Sequence, residues 1–358
     1  MKVLIAGATG HFGGLIAGHL VAQGRGGELV VTSRTLASAQ RLRGDLDSPE
    51  NAVKITGRVL DVASLESGRR AVDGCALCID AAGPFQARDG TLVQACAEAG
   101  CDYLDLSDDA GYSGRVAEAA ASAPIRVFTS HSTFSATVLF LVHHLAVRHG
   151  APRQVRVGLV MATRGGAGRA TMRALLATLD HVRPSPAPGF ALTFPRPVGR
   201  RELWVYPTPN ERWLREILEV PECVSAIGFT NRAIGPVLVL LSGLGLRLSA
   251  VAGPLRLGRA MTEWWPRSRM LGCLQIWAQW EDREDTMSLL ARDRATDVPC
   301  FPAILTGLAY LRGAPPSMPS GLRWLHEWLP WSDWEQLCQN RGAEIHLTAS
   351  TERGTARR

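Results

Sequence analysis

The 358-residue sequence predicts an α/β protein in which a doubly wound parallel sheet is followed by a second, mixed α+β domain. Three observations support this prediction. Short apolar runs alternate with helical patterns early in the chain, a glycine-rich turn joins the first run to the first helix, and all ten tryptophans lie after residue 200. Alternating strands and helices favour a parallel sheet covered on both faces, and the change in composition indicates a second half of different construction.

Six short apolar runs, each bounded by Gly, Asp or Pro, predict the strands of the first domain. They are Lys2–Ala6, Glu28–Ser33, Val53–Asp61, Ala76–Ala82, Tyr103–Ser107 and Arg126–Ser130. The clearest helix between them is Asp89–Ala99, which places Leu92, Val93 and Cys96 on one face and ends at Gly100.

The second half predicts a mixture of strands and helices. Strands are expected at Gln154–Thr163, Glu202–Tyr206, Cys273–Glu281 and Met287–Arg292, and helices near Ala170–Leu179 and Pro236–Val251. The proline-rich stretch Pro184–Pro197 predicts an internal loop. Near the end, Ser332-Asp333-Trp334-Glu335 has the pattern of a capping box, which would open a helix that Gly342 can close.

The charged residues exclude several function classes. There are 39 basic and 33 acidic side chains, a net charge of +6, but only two lysines, Lys2 and Lys54. A P-loop needs a lysine directly after its glycines, and neither lysine has that context. The Tyr-x-x-x-Lys pair of short-chain dehydrogenases is also missing, because Glu50 stands four residues before Lys54. The arginines are spread along the chain without a basic run, so we expect no nucleic-acid partner.

Cysteines and apolar stretches indicate the environment of the protein. The eight cysteines are dispersed, which favours a reducing, cytoplasmic location. Cys75 and Cys78 form a C-x-x-C pair, but a strand would point them to opposite faces, and we expect no bound metal. The apolar, uncharged stretch Ala233 to Leu246 has 14 residues, fewer than the roughly 18 that a membrane span needs. It predicts an apolar helix beside a substrate site, a partner or a lipid surface.

The strongest motif is the turn Gly7-Ala8-Thr9-Gly10-His11-Phe12-Gly13, between the first strand and the first helix. The first glycine permits a tight turn, the second lets a pyrophosphate approach the backbone, and the third lets the helix pack closely on the strand. Amides at the helix start would then face the phosphates. The predicted phosphate-binding residues are Gly7, Thr9, Gly10, His11, Phe12 and Gly13.

The end of the second predicted strand indicates which dinucleotide binds. An NAD-binding protein usually has Asp or Glu about twenty residues after the last glycine, whereas this chain has Thr32-Ser33-Arg34. Arginine can donate a forked pair of hydrogen bonds to phosphate oxygens. Ser33 and Arg34 therefore favour NADP(H) over NAD(H).

Two further strand ends are expected to meet the cofactor, because ligands lie at the carboxyl ends of the strands in such sheets. Asp61 and Val62 end the third strand and are placed at the adenine. Ala82, Gly83 and Pro84 follow the fourth strand, where small residues would let the nicotinamide ribose come close.

Three segments in this order form a recognisable set: the glycine turn, Ala81-Ala82-Gly83-Pro84-Phe85, and the run from Val93 to Asp108, VQACAEAGCDYLDLSD. Together they resemble the saccharopine dehydrogenase family, in its NADP-binding, reductase-like branch. The resemblance implies a Rossmann domain at residues 1–130, a mixed-sheet substrate and dimerisation domain at 131–325, a C-terminal helix at 326–350 that packs back towards the first domain, and a tail at 351–358.

The resemblance also implies an activity. Family members reduce C=N bonds in amino-acid metabolism, and some similar proteins are described as enoyl reductases. Where saccharopine-forming relatives carry a Gly-x-Asp-Pro-Gly loop, this chain has Ser130-His131-Ser132-Thr133-Phe134-Ser135, which argues against saccharopine itself. The tryptophan-rich second half favours a bulkier, less polar substrate.

Hydride transfer also needs a proton source, and no motif identifies it. Candidates lie on two strand-end loops expected to border the nicotinamide: Tyr103, Asp105, Ser107, Asp108 and Asp109 on one, and His131 and Ser132 on the other. His131 is the first choice as acid, because an unperturbed imidazole titrates near neutral pH. A protonated imine would need no separate acid, so this alternative stays open.

Two functions follow as hypotheses. The leading one is an NADPH-dependent reductase of a C=N or activated C=C bond in a rather apolar small molecule, acting as a cytoplasmic homodimer. The alternative is a non-catalytic NADP(H)-binding protein that engages lipid or a protein partner through its apolar second domain.

Overall fold

The computed structural model describes residues 1–162, 175–180, 189–244, 246–251 and 270–349. The chain forms two compact units, one of Met1–Ala136 with Pro299–Trp328 and one of Thr137–Val298 with Leu329–Arg358. Within the described residues, each unit is built around a seven-stranded sheet. The predicted tail at 351–358 and the start of the helix predicted near Ala170 lie outside the described residues.

The sheet of the first unit is parallel throughout. Its strands are β1 (Lys2–Ala6), β2 (Glu28–Ser33), β3 (Lys54–Val59), β4 (Leu77–Asp80), β5 (Asp102–Asp105), β6 (Arg126–Phe128) and the short β13 (Gly321–Leu322). The helices between them are α1 (His11–Gln23), α2 (Leu36–Leu46), α3 (Leu65–Val72), α4 (Thr91–Ala99) and α5 (Ala110–Ala120). The spatial order is β13-β6-β5-β4-β1-β2-β3, and every pair is parallel.

This arrangement confirms the predicted doubly wound fold. All six predicted strands of the first unit are present, and β1 and β2 have the predicted ends. The predicted glycine stop is also present, because Gly100 caps α4 with a φ of 65°. The strand order reverses between β1 and β4, and this switch point is where such sheets bind ligands.

A late helix completes the core of the first unit. The helix α11 (Phe301–Leu311) packs on α1 and β1. Contact is close at Gly307, where an added Cβ would lie 2.9 Å from the methyl carbons of Leu20. Leu20, Phe301 and Ile304 are buried there, and full burial of such a side chain stabilises the fold by about 1.5–3 kcal/mol.

The sheet of the second unit is mixed. Its strands are β7 (Gln154–Met161), β8 (Phe190–Phe194), β9 (Gly199–Val205), β10 (Glu222–Phe229), β11 (Gly272–Gln279), β12 (Glu284–Ala291) and β14 (Ala343–Ala349), in the order β14-β12-β11-β7-β10-β9-β8. Only β7 and β10 pair in parallel among these described strands. Its helices are α6 (Ala136–His149), α7 (175–180), α8 (Asn210–Leu218), α9 (Ile234–Gly243), α10 (Leu248–Val251) and α12 (Trp331–Asn340).

Several predictions for the second unit were wrong. The strand β8 lies within Pro184–Pro197, which was predicted to be a loop, and is held by five residue pairs with β9. The single long helix predicted at Pro236–Val251 is two helices, α9 and α10. The capping box at Ser332 is absent, because α12 begins at Trp331 with Pro330 as its N-cap; proline suits a helix start, where no N–H partner is needed.

The C-terminal helix also differs from its prediction at 326–350. Helix α12 belongs to the second unit, where Trp331 stacks on His144 at 3.7 Å between ring centroids and Trp334 lies 5.4 Å from Phe140. The segment that returns to the first unit is Pro299–Trp328. In the described part of the chain, no helix combines the length and apolar character needed to cross a membrane.

Candidate cofactor site

The glycine turn follows β1 directly and is sterically tight. Gly7 has a φ of +73°, and a Cβ there would lie 2.9 Å from Cα of Ala82. A Cβ on Gly13 would lie 2.3 Å from the carbonyl oxygen of Gly7. Both distances are shorter than real Cβ contacts, so the turn requires glycine at both positions. Because both positions lack a side chain, the start of α1 can lie against the turn, as the phosphate-binding motif needs.

The start of α1 has the properties of an anion site. Gly10 is the N-cap residue and offers no side chain to the helix amides, and the first turn contains no acidic residue. The N–H of Gly10 donates to the carbonyl of Gly7 at 2.9 Å, which closes the turn. Thr9 is exposed beside it, and His11 and Phe12 are half-buried. A helix start in this state binds phosphate through its amides and its dipole.

The end of β2 presents one cation to solvent. The buried Thr32 hydroxyl donates to the carbonyl of Ile5 at 2.7 Å, so it links β2 to β1 and stabilises the sheet. Ser33 is half-buried, whereas Arg34 is exposed and forms no ion pair with any described residue. Thr35 then caps α2 by accepting from the N–H of Ser38. Arg34 therefore stands between the last strand residue and the helix cap.

The end of β3 is a local turn. Asp61 is exposed, accepts from the N–H of Ala63 at 3.1 Å and donates its own N–H to the hydroxyl of Ser67 at 2.9 Å. Val62 packs against the core of the first unit. The N–H of Leu60 donates to the carbonyl of Ser33 at 2.9 Å, so this turn lies beside the end of β2.

A buried carboxylate that the sequence analysis missed organises the end of β4. Asp80 is fully buried and accepts from the N–H of Ala82 at 3.0 Å, from the Arg88 guanidinium at 2.6 Å and from the Tyr103 hydroxyl at 2.9 Å. Arg88 also donates to the carbonyl of Ala82 at 3.2 Å. The loop that carries Ala82, Gly83 and Pro84 is thus held at both ends.

Aromatic rings surround the Arg88 guanidinium. Its carbon lies 5.5 Å from the ring centroid of Phe85 and 5.6 Å from that of Tyr112. Burial opposes its charge, yet the Asp80 carboxylate raises the pKa of Arg88 above its ordinary value. The hydroxyls of Tyr103 and Tyr112 lie 2.8 Å apart, and burial, with the nearby Asp80, raises the pKa of Tyr103. The Asp80–Arg88 ion pair is therefore covered by Tyr103 and Tyr112.

A second buried network joins the ends of β5 and β6. Asp105 accepts from the N–H of Ser107 at 2.9 Å, from the Thr129 hydroxyl at 2.8 Å and from the N–H of Ser130 at 3.0 Å. Burial raises its pKa to about 7, although these hydrogen bonds oppose the rise. The Asp105 carbonyl also accepts from the N–H of His131 at 2.7 Å. Asp105 therefore fixes both strand-end loops.

His131 is fully buried in this network. Its Nδ1 lies 3.0 Å from the carbonyl of Thr129, and because a carbonyl only accepts, Nδ1 carries the proton. Its Nε2 has no hydrogen-bond partner among the described residues. Burial lowers the pKa of His131 to about 4, so the ring is neutral at pH 7. A neutral ring with Nδ1 protonated leaves only a lone pair at Nε2.

Asp108, on the loop after β5, contacts the loop after β6 that carries His131. It accepts from the hydroxyls of Ser132 and Ser135, the latter at 2.9 Å, and burial raises its pKa to about 6. Asp109 accepts from the N–H of Tyr112 at 2.7 Å and caps α5. Ser107 accepts from the N–H of Asp109 at 3.1 Å. Asp108 therefore joins the two loops, whereas Ser107 and Asp109 order the loop after β5.

The structure thus groups the predicted site residues unevenly. Gly7 and Ala82 approach each other, and Asp105, Ser107 and His131 share one network, while Tyr103 belongs to the Asp80 network. Asp80, Arg88 and Tyr112 were missed by the sequence analysis. One signal was available, because an aspartate inside an apolar run must find a partner when it is buried.

The geometry defines a class of protein. A parallel sheet that reverses at β1 and β4, with a glycine turn and an uncapped helix start at that point, is a dinucleotide-binding Rossmann domain. Residues 3–131 match the family model of the saccharopine dehydrogenase NADP-binding domain. This match confirms a nicotinamide dinucleotide as the type of cofactor.

A solved structure with the same fold covers nearly the whole chain. The structure of apo saccharopine dehydrogenase (L-Glu forming) from Saccharomyces cerevisiae aligns with a TM-score of 0.62 at 14% identity and covers 98% of this chain and 100% of that one. The WlbA (WbpB) dehydrogenase from Thermus thermophilus, in complex with NAD and alpha-ketoglutarate, aligns at 14% identity over 90% of each chain, with a TM-score of only 0.40. No curated protein matches the sequence significantly.

Residues 3–131 therefore form a domain of the saccharopine dehydrogenase NADP-binding type, and the whole chain shares the fold of saccharopine dehydrogenase, in agreement with the resemblance found in the sequence. The domain match supports a nicotinamide-dinucleotide-dependent oxidoreductase.

Proposed function

We propose that the protein is an NADPH-dependent reductase that transfers hydride to a C=N bond of a rather apolar small molecule. The observation that carries this proposal is the tight glycine turn at the switch point, with its uncapped helix start. The residues fit a dinucleotide, because the two required glycines leave backbone amides, and no side chain, at the place of the pyrophosphate.

The preference for the phosphorylated dinucleotide rests on the end of β2. The chain has no carboxylate there, and Arg34 is exposed without an ion-pair partner in the described part of the chain. A guanidinium in this position can bind a 2′-phosphate through two parallel hydrogen bonds. A ribose 2′-hydroxyl would lose the usual carboxylate acceptor, so NADH is expected to bind more weakly.

The residues at the ends of β4, β5 and β6 would shape the nicotinamide end of the site. When bound, the reduced nicotinamide supplies the hydride. Ala82, Gly83 and Pro84 leave room for the ribose, and Asp80 holds their loop through the N–H of Ala82 and through Arg88. We assign Tyr103, Asp105 and Ser107 to positioning of these loops, because each is buried and already engaged.

The buried state of His131 favours C=N over C=C reduction. An enoyl substrate needs a proton after hydride transfer, but a ring with its pKa near 4 and its Nδ1 proton bound to a carbonyl is a poor acid at pH 7. A protonated imine brings its own proton. We therefore propose an imine or iminium substrate, with His131 as an acceptor and not as the acid.

The proposal is tested by following NADPH oxidation with a panel of apolar imines and, in parallel, enoyl thioesters. We expect turnover of imines and little or none of enoyl thioesters. Cofactor binding without turnover of any member of either group would count against the redox function. The variant His131→Asn, which keeps an N–H donor, is expected to lower kcat for the imine by less than tenfold, whereas loss of a general acid would lower it by about a hundredfold or more.

A further inference from the structure

Helix α9 and the residues that follow it expose an apolar stripe, defined as Val237 and Leu240 on the helix with Leu244 and Leu246 after its end. The exposed fractions are 47%, 63%, 67% and 41%. The first three stand at positions i, i+3 and i+7, which fall on one side of a helix. Ile234, Gly235 and Leu238 are buried on the other side. The helix is therefore apolar towards the core and towards solvent alike.

This composition is unusual for a helix that faces only water. A surface helix normally carries charged or polar residues opposite its buried face, but Ala233 to Leu246 contains no charged residue. Among the described residues, ten large apolar side chains are exposed, and four of them form the apolar stripe. Contiguous exposed apolar patches mark sites of contact with a partner or a membrane.

Cations stand at both ends of the apolar stripe. Arg232 precedes it and Arg247 follows it, both exposed and both without an ion pair to any described residue. Burial lowers the pKa of Arg201, and the charge of Arg232 lowers it further, which indicates that Arg201 lies near Arg232. The sequence has no aspartate or glutamate between Glu222 and Glu263. A partner for this surface must therefore bury leucine side chains at its centre and bind arginine side chains at its edge.

We propose that the apolar stripe, with Arg232 and Arg247, rests on the surface of a membrane that contains anionic phospholipid. The leucines would enter the boundary between headgroups and acyl chains, and the guanidinium groups would bind lipid phosphates. The ten residues of α9 extend about 15 Å, half of a hydrocarbon core, so the helix would lie along the surface. In a two-fold pairing of antiparallel α9 helices, Arg232 of one copy would face Arg247 of the other, which disfavours a second copy.

The test uses the full chain with NADPH bound and measures co-sedimentation with vesicles. Vesicles of phosphatidylcholine mixed with phosphatidylglycerol are expected to bind the protein, and vesicles of phosphatidylcholine alone to bind it weakly. The double variant Leu240→Ser/Leu244→Ser should lower binding by roughly tenfold for each leucine. The double variant Arg232→Gln/Arg247→Gln should lower it by about fivefold for each arginine, as should added salt.

The matched control is Val147→Ser on α6, since Val147 is 71% exposed and lies outside the apolar stripe. It is expected to bind vesicles as the wild type does, and all variants should keep the NADPH affinity and unfolding midpoint of the wild type. This separates the inference from the proposed function, which does not depend on it. Absence of vesicle binding, or an equal loss in Val147→Ser, would overturn the inference. So would a leucine variant that lowers particle mass in light scattering while vesicle binding is unchanged, because a second copy would then cover the stripe.

Discussion

At the scale of single residues, Gly13 shows how sterics and cofactor binding are joined. Its missing side chain lets the first turn of α1 lie against the carbonyl of Gly7. The same contact sets the direction of the helix amides that would face the phosphates. A change at this residue should therefore affect stability and cofactor affinity together.

Gly13→Ala tests this link. The new Cβ would lie 2.3 Å from a backbone oxygen, so the turn must shift, and we expect a loss of about 2 kcal/mol in unfolding free energy with strongly weakened NADPH binding. Gly18→Ala in the same helix is the control, because a Cβ there meets nothing within 4 Å. The control should be neutral or more stable by about 0.5–1 kcal/mol. Urea unfolding and NADPH titration measure both effects, and equal behaviour of the two variants would refute the steric argument.

Arg34→Ala tests the choice of dinucleotide. Loss of hydrogen bonds to a charged phosphate costs about 1.5–3 kcal/mol, so the affinity for NADPH should fall at least tenfold while the affinity for NADH stays nearly constant. Arg41→Ala, an exposed arginine on α2, should change neither. Fluorescence titration with both dinucleotides measures these affinities. A parallel fall in the affinities for NADPH and NADH would show that Arg34 does not bind the 2′-phosphate.

Asp108→Asn tests the half-buried carboxyl that joins the two loops. Because burial raises the pKa of Asp108 to about 6, above about 3.9 in the unfolded chain, the wild type should lose stability as pH rises from about 4 to about 6. The variant keeps an acceptor oxygen for Ser132 and Ser135 but cannot ionise. As pH rises through this window, the unfolding free energy of the variant should therefore increase relative to that of the wild type by on the order of 3 kcal/mol.

A second titrating group lies on the neighbouring loop. His131, with its pKa lowered to about 4, makes stability rise with pH between about 4 and 6.5, the opposite sign. It does so in both proteins, so it cancels in the difference between them. Unfolding curves whose pH dependence is the same in wild type and variant would contradict the assigned burial of Asp108.

At the scale of elements, the loop after β4 depends on one ion pair. Asp80 and Arg88 are both buried, and together they hold Ala82 at the distance where its backbone meets the glycine turn. A buried pair stabilises little in itself, but removing one partner leaves an uncompensated charge. The pair therefore serves mainly to fix the loop.

Arg88→Met should lower the unfolding free energy by about 3–5 kcal/mol, because it leaves the Asp80 carboxylate buried without its cation. The double variant Asp80→Asn/Arg88→Met should recover part of this loss, and both should bind NADPH more weakly. Asp47→Asn, which removes an exposed pair with Arg43, should cost less than about 0.5 kcal/mol. An Arg88 variant as stable as the Asp47 variant would refute the role of the pair.

The elements that the sequence could predict are those with local signals. Strands β1 and β2 are apolar runs ended by glycine or a polar turn, and α4 has a glycine stop, so short-range patterns suffice. Strand β10 has small residues such as Ser225 and Gly228, and β14 has only one buried residue. Both exist through pairing with β7 and β12, distant in sequence.

The candidate site divides in the same way. The glycine turn and Arg34 follow from a motif whose spacing is fixed by the cofactor. The Asp80–Arg88 pair depends on a contact between a strand end and a later loop, and the neutral state of His131 depends on complete burial. Neither burial nor that contact can be inferred from residue types alone.

At the scale of the whole molecule, the chain consists of a unit with a parallel sheet, which matches a dinucleotide-binding domain, and a unit with a mixed sheet. The first unit carries every residue proposed to bind the cofactor, and the second carries the apolar stripe on α9. The homodimer and the cytoplasmic location stay predictions, as does the dimerisation role of the second unit.

Calorimetric titration of the purified protein with NADPH and with NADH tests the cofactor site and its preference together, because the glycine turn and Arg34 both act on this equilibrium. We expect one site per chain and an affinity for NADPH at least tenfold higher than for NADH. Equal affinities would contradict the role of Arg34, and no binding of either dinucleotide would contradict the cofactor site itself.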